Sequence, residues 1–112
     1  MSIKSERVAS ELVKELGDIL LRESNDETFK TVTITYAKVS NDLSYSKVYF
    51  TTLDNDKEKI EKELNEASSY FRTLLAERLD LRHMPEVKFI YDESIEYGEH
   101  IEKIIESIHK GE

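Results

Sequence analysis

Residues 64–94, with the apolar stripe that enters them from Ile60, constrain this chain more than any other stretch. Ile60, Leu64, Ala67, Phe71, Leu74, Leu75 and Leu79 recur at steps of mostly three and four, which keeps one helix face apolar over about five turns. Ser68-Ser69 interrupts that stripe, and a serine pair is a recognised cause of kinks because its hydroxyls can bond back to the preceding turn. Beyond Leu79 the pattern changes. Arg82-His83-Met84 leads into Pro85, which cannot continue a helix and biases Met84 toward an extended conformation. Val87, Phe89 and Tyr91 then alternate with Lys88 and Ile90, the period of a strand. The stretch therefore reads as helix, bend, helix, basic turn, strand.

The residues before it supply the other elements. Val8, Leu12, Val13, Leu16, Ile19 and Leu20 predict an amphipathic helix over 5–22, with Gly17 permitting close packing. Glu23 to Lys30 is a polar connection. Thr31 to Val39 is β-branched and alternating, and so is Tyr45 to Thr52; Asn41-Asp42 between them makes an antiparallel hairpin. In the first strand Val32, Ile34 and Tyr36 share a face while Ala37 and Val39 fall on the other, which implies a bulge near Tyr36 or burial on both faces. Asn55 and Glu58 have the spacing of a capping box opening the next helix. After the third strand Asp92 and Ser94 can cap a last helix striped by Ile101, Ile104, Ile105 and Ile108. The fold class is α+β: an α-β-β-α-α-β two-layer sandwich with a three-stranded sheet and a C-terminal helix.

Composition bounds the function. A chain of 112 residues makes one domain. Without cysteine there is no disulfide framework, thiolate metal site or cysteine nucleophile. There is no N-terminal apolar h-region and no run near the ~20 apolar residues of a span, so neither a signal peptide nor a membrane segment is expected. The formal charge of −8 argues against nucleic acid, but the excess is local: residues 54–70 carry −3 and 93–112 carry −4, while 71–92 are neutral. A local basic patch governs phosphate affinity more than the total does.

The element order is that of type II K-homology (KH) folds, and the motifs are more specific. Val39-Ser40-Asn41-Asp42-Leu43 with Ser46-Lys47-Val48-Tyr49, Leu64-Asn65-Glu66-Ala67, Phe71-Arg72, and Leu81-Arg82-His83-Met84-Pro85 with Phe89 and Asp92-Glu93-Ser94 together resemble the ribosome-binding factor A family over roughly Ile3 to Ile101. The resemblance departs at Ala67-Ser68-Ser69, where that family usually has Ala-x-Gly; GXXG, with which a KH domain clamps a nucleic-acid backbone, is also missing. It implies a bacterial cytoplasmic factor, monomeric and without a cofactor. Such a factor binds the free small (30S) ribosomal subunit and assists late maturation of 16S rRNA, particularly in the cold, without catalysis. Residues 1–94 would be the KH-like RNA-binding domain, and 95–112 an acidic C-terminal helix extending it.

Candidate RNA contacts are Arg72, Arg78, Arg82, His83 and Lys88 around the second central helix and third strand, Ser68 and Ser69 at the bend, and Lys38 and Lys47 in the hairpin. Arg72 and Arg78, six residues apart, are about 120° apart around a helix and need not share a face. Tyr36, Tyr49 and Tyr91 read as packing residues more readily than as base-stacking ones. The bland alternative for the cations is solvated charge paired with Glu77, Asp80 and Glu86. A second function fits the acidic segments: an adaptor that engages basic ribosomal proteins through Glu58, Glu61 and Glu66 without touching RNA. Metal and catalytic readings fail on the residues. Asp54-Asp56-Glu58 lacks the glycine and the last glutamate of a calcium loop, Glu96 and His100 lack a third ligand, and His83 and His109 lack a nucleophile.

Overall fold

The computed structural model describes residues 3–22 and 27–94. Its elements are α1 (Ile3–Arg22), a short 3-10 turn (Glu27–Thr31), β1 (Val32–Val39), β2 (Tyr45–Thr52), α2 (Lys57–Glu66), α3 (Ser68–Arg78) and β3 (Glu86–Tyr91). The expected α-β-β-α-α-β order is the observed one, and the expected C-terminal helix lies outside the described residues. The sheet runs β1-β2-β3, antiparallel between β1 and β2 and parallel between β2 and β3. A parallel pair needs a crossover, and α2 with α3 supplies it.

Strand alternation places the core. Val48, Phe50 and Phe89 turn inward and meet Leu12, Leu16 and Ile19 of α1, Ile60 and Leu64 of α2, and Phe71 and Leu75 of α3, all at 0% exposure. Phe71 is central: its ring lies 5.7 Å from Phe29 and 5.5 Å from Phe89. Phe29 comes from the 3-10 turn, so the polar connection after α1 contributes one buried aromatic. The opposite face of the sheet carries no helix among the described residues, so its outward strand residues are exposed or half-buried.

Four details refine or correct the expectation. The bulge at Thr35 settles the parity of β1: the register shifts between Ile34 and Tyr36, so Val32, Ile34, Ala37 and Val39 all point inward and Tyr36 points out. The helix bend centres on Ala67, at φ −91° and ψ 7°, in the bridge region between helix and strand conformations. Neither Ser68 nor Ser69 bonds back through its hydroxyl among the described residues, so the bend has another cause. Asn65 provides one, because its amide is stitched to β3: the nitrogen donates to the Phe89 carbonyl at 2.9 Å and the oxygen accepts from the Phe89 N–H at 2.8 Å. The end of α2 is thereby fixed to the strand while α3 leaves to pack on α1. The N-cap of α2 is Asp56, accepting from Lys59 N–H at 3.1 Å, one residue beyond Asn55. Gly17 is exposed, and a Cβ there would meet nothing within 4 Å, so close packing does not explain it.

Candidate RNA-binding surface

The candidate residues separate into three groups. Lys38 of β1 pairs in register with Lys47 of β2, and Lys47 pairs with Lys88 of β3. The three lysines thus form one rung across the sheet, all exposed, on the side away from the helices. Neighbouring strands lie about 4.8 Å apart, so the ammonium groups can track successive phosphates. None of the three makes an ion pair among the described residues. Like charges placed directly opposite are unfavourable for a sheet, so the rung works against folding.

The second group lies at the bend and the turn before β3. Ser69 is exposed and Ser68 half-buried, with Tyr70 projecting beside them. Arg72 is half-buried; its Nη2 donates to the Met84 carbonyl at 3.1 Å, which fixes the turn, and its Nε is buried without a partner among the described residues. Arg72 thereby holds Arg82 and His83 at the surface, where both are exposed. The third group is Arg78 alone. Its side chain is only 22% exposed and its Nη1 reaches Glu15 at 3.0 Å and Asp18 at 2.7 Å on α1. Arg78 joins α3 to α1, so its charge is taken by carboxylates and it leaves the candidate set. Arg72 and Arg78 do not share a face: one guanidinium turns to the β3 turn and the other to α1.

Local carboxylates shape the surroundings. Asp42 in the hairpin loop accepts from the Ser40 and Ser44 hydroxyls, each at 2.7 Å, and from the Ser44 N–H at 3.1 Å. These bonds, the Ser40 hydroxyl first, pull its pKa down to about 2. The loop also holds Leu43 at φ 61°, a strained conformation for a branched residue, with its side chain packed on the core. Asp92, buried after β3, is kept low chiefly by the Ser94 hydroxyl against the effect of burial, with Thr35 also donating at 2.8 Å. It therefore stays ionised.

Two features escaped the sequence reading. Tyr36 and Tyr49 stack on the outer side of the sheet at 4.2 Å and 7° between ring planes. The bulge signal near Tyr36 could have found this pair. Tyr91 differs, standing edge-on against Phe50 at 5.7 Å as a packing residue. The other is the closure of the β3 edge by α2, where Asn65 binds Phe89 and the Glu61 carboxylate accepts from the Tyr91 N–H at 2.9 Å. Glu61 is thus already committed within the fold. Among the described residues no group of three metal-binding side chains occurs, and no helix is long and apolar enough to cross a membrane.

A three-stranded sheet backed by α1 and a bent α2–α3 pair, with cations on its open side and around the bend, defines a type II KH-like domain. Within that class the chain belongs to the ribosome-binding factor A family, whose model matches residues 4–105. It is similar to the ribosome-binding factor A of Staphylococcus carnosus, at 44% identity over 110 residues covering 96% of both chains. The crystal structure of ribosome-binding factor A from Thermus thermophilus superimposes with a TM-score of 0.70 at 21% identity, covering 78% of this chain and 94% of that one. A homology model of the Thermus thermophilus ribosome-binding factor A, fitted into the cryo-EM map of a complex of the 30S subunit with ribosome-binding factor A, matches with a TM-score of 0.67 at 19% identity, covering 80% of this chain and 96% of that one.

Proposed function

We propose that this protein is a ribosome-associated factor that binds the free small subunit and assists late maturation of 16S rRNA. Binding is by shape and phosphate contact, without base-pairing specificity and without turnover. The observation that carries the reading is the Lys38–Lys47–Lys88 rung: three cations side by side, unpaired among the described residues and unfavourable to the fold. Exposed Arg82 and His83, with the Ser68 and Ser69 bend, form a second contact area on the helix side. Family membership supports the ribosomal partner, as does the complex of the 30S subunit with ribosome-binding factor A into whose map a model of the Thermus relative was fitted. Residues 1–94 carry this binding, and 95–112 are proposed as an acidic extension of the same domain.

The test is co-sedimentation with free small subunits, large subunits and joined ribosomes over a salt series. Free small subunits should retain the protein, and affinity should fall as salt rises because neutralised phosphates release counterions. Reversing Lys38, Lys47 and Lys88 to glutamate should abolish retention and flatten the salt slope by about 0.7 to 0.9 for each phosphate that is no longer neutralised. Salt-independent retention excludes the phosphate grip. Retention that disappears only on neutralising Glu58 and Glu66 would favour the protein-binding adaptor instead.

A further inference from the structure

The outer side of the sheet is ordered in bands that run across the strands. One rung is Tyr36–Tyr49–Ile90 and the next is Lys38–Lys47–Lys88, two residues further along each hairpin strand. At about 3.3 Å per residue the bands lie about 6.6 Å apart. Tyr36 is 38% exposed while Tyr49 and Ile90 are half-buried, so the first band is a partly accessible strip that is most open at Tyr36. Asp92 bounds it on the far side, held by Thr35 and Ser94, and exposed Glu86 bounds the lysine band on its own far side. The sequence of chemistry across the sheet is carboxylate, aromatic, cation, carboxylate.

We infer that this face is a platform for an unpaired RNA strand lying across the three strands, with phosphates on the lysine band and bases on the tyrosine band. The inference rests on the RNA-binding reading above and adds the kind of RNA and the groups it touches. Charge complementarity places the backbone, because among the described residues the cations of this face lie in its middle and Asp92 repels phosphate from the aromatic side. The aromatic strip then selects the ligand. Bases of an unpaired strand expose a π face that stacks on aromatic side chains, whereas those of a duplex are stacked on one another and turn only their edges outward. Tyr36 and Tyr49 stack on each other, which occupies one face of each ring and leaves the opposite face for a base, with the ring orientation fixed before the base arrives. The Lys38 ammonium stands 6.0 Å from the Tyr36 ring centroid, a loose approach that an arriving base can replace while the lysine turns to phosphate.

The experiment measures fluorescence anisotropy of a labelled oligoadenylate and of a labelled blunt RNA duplex with the full chain at low salt. The oligoadenylate should bind more tightly than the duplex. Replacing both Tyr36 and Tyr49 with alanine should weaken oligoadenylate binding about tenfold or more and leave duplex binding unchanged, while the double phenylalanine variant should bind as the wild type does. Lys38→Glu/Lys88→Glu should abolish binding of both, and serves where the alanine variant does not fold. Equal affinity for the two probes, an alanine variant that binds as the wild type, or equal competition by polyglutamate would each overturn the platform. The same variants are sedimented with small subunits. Wild-type retention alongside failed oligonucleotide discrimination removes the platform alone; absent wild-type retention removes the ribosomal reading itself.

Discussion

The helix layer and the open side of the sheet both carry cations, and they use them differently. Arg72 and Arg78 lie between elements, where Arg72 satisfies a backbone carbonyl and Arg78 two carboxylates. Lys38, Lys47 and Lys88 face solvent, set side by side by the strand register. A guanidinium is a planar fork suited to fixed partners at a packed junction, whereas an ammonium on a flexible stem stays hydrated and available. Charge in the sequence is therefore not charge offered to a ligand. What separates the two sets is whether the element that carries the residue is packed against another on that side.

The largest expected effect tests this division directly. Arg72→Ala should lower unfolding free energy by about 2 kcal/mol, since the Met84 carbonyl loses a half-buried charged donor. Arg78→Ala should also destabilise, because Glu15 and Asp18 would then repel each other three residues apart on α1. Lys88→Ala should change stability by no more than about 0.5 kcal/mol while weakening retention on small subunits. Urea unfolding of the three variants decides. Arginine variants with wild-type stability but no subunit binding would reverse the division.

How much of this was legible in the sequence follows from the range of each interaction. The strands and α1 were readable because alternation and helical stripes are local, and Val8 through Leu20 and Val48 with Phe50 face the core as their spacing says. The Lys38–Lys47 pair follows from two strands joined by a short loop. Lys88 joins them only through a parallel register set by the crossover, which no local pattern encodes. The outward turn of Tyr36 depends on Thr35 being left unpaired against β2, and the bend at Ala67 on Asn65 meeting Phe89 across 24 residues. Arg78 looked like an RNA-binding residue because its acidic partners lie 60 and 63 residues away.

Acid should test the Arg78 junction by itself, with a smaller effect. The Arg78 hydrogen bond holds the Asp18 carboxyl below its ordinary value of 3.8, outweighing burial, with the charges of Arg22 and Arg78 adding to it. A carboxyl whose folded-state pKa is depressed takes up its proton more readily in the unfolded chain. The stability it contributes is thus complete above the unfolded value and disappears as pH falls through the folded one. Asp92 is depressed in the same direction, and Asp42 reaches about 2, so the losses should fall between about pH 4 and pH 2. Arg78→Ala should remove the Asp18 share, measured as a shallower fall in urea midpoint with acid; an unchanged slope would show that Asp18 and Arg78 are not coupled.

The smallest effect has the opposite sign. Lys47 stands between two other lysines on one rung, so removing it should relieve repulsion from both sides. Threonine is the suitable replacement, because its β-branched side chain favours an exposed strand position. Lys47→Thr should therefore stabilise the chain by a few tenths of a kcal/mol at low salt, and the gain should shrink as salt screens the lysines. Retention on small subunits should weaken in the same variant. A side chain whose removal improves folding while it harms binding is held at a cost to the fold, which ordinary solvated charge does not incur. Destabilisation on substituting Lys47, or a gain that persists in high salt, would mean that its stem packs on the sheet and that the rung is part of the scaffold.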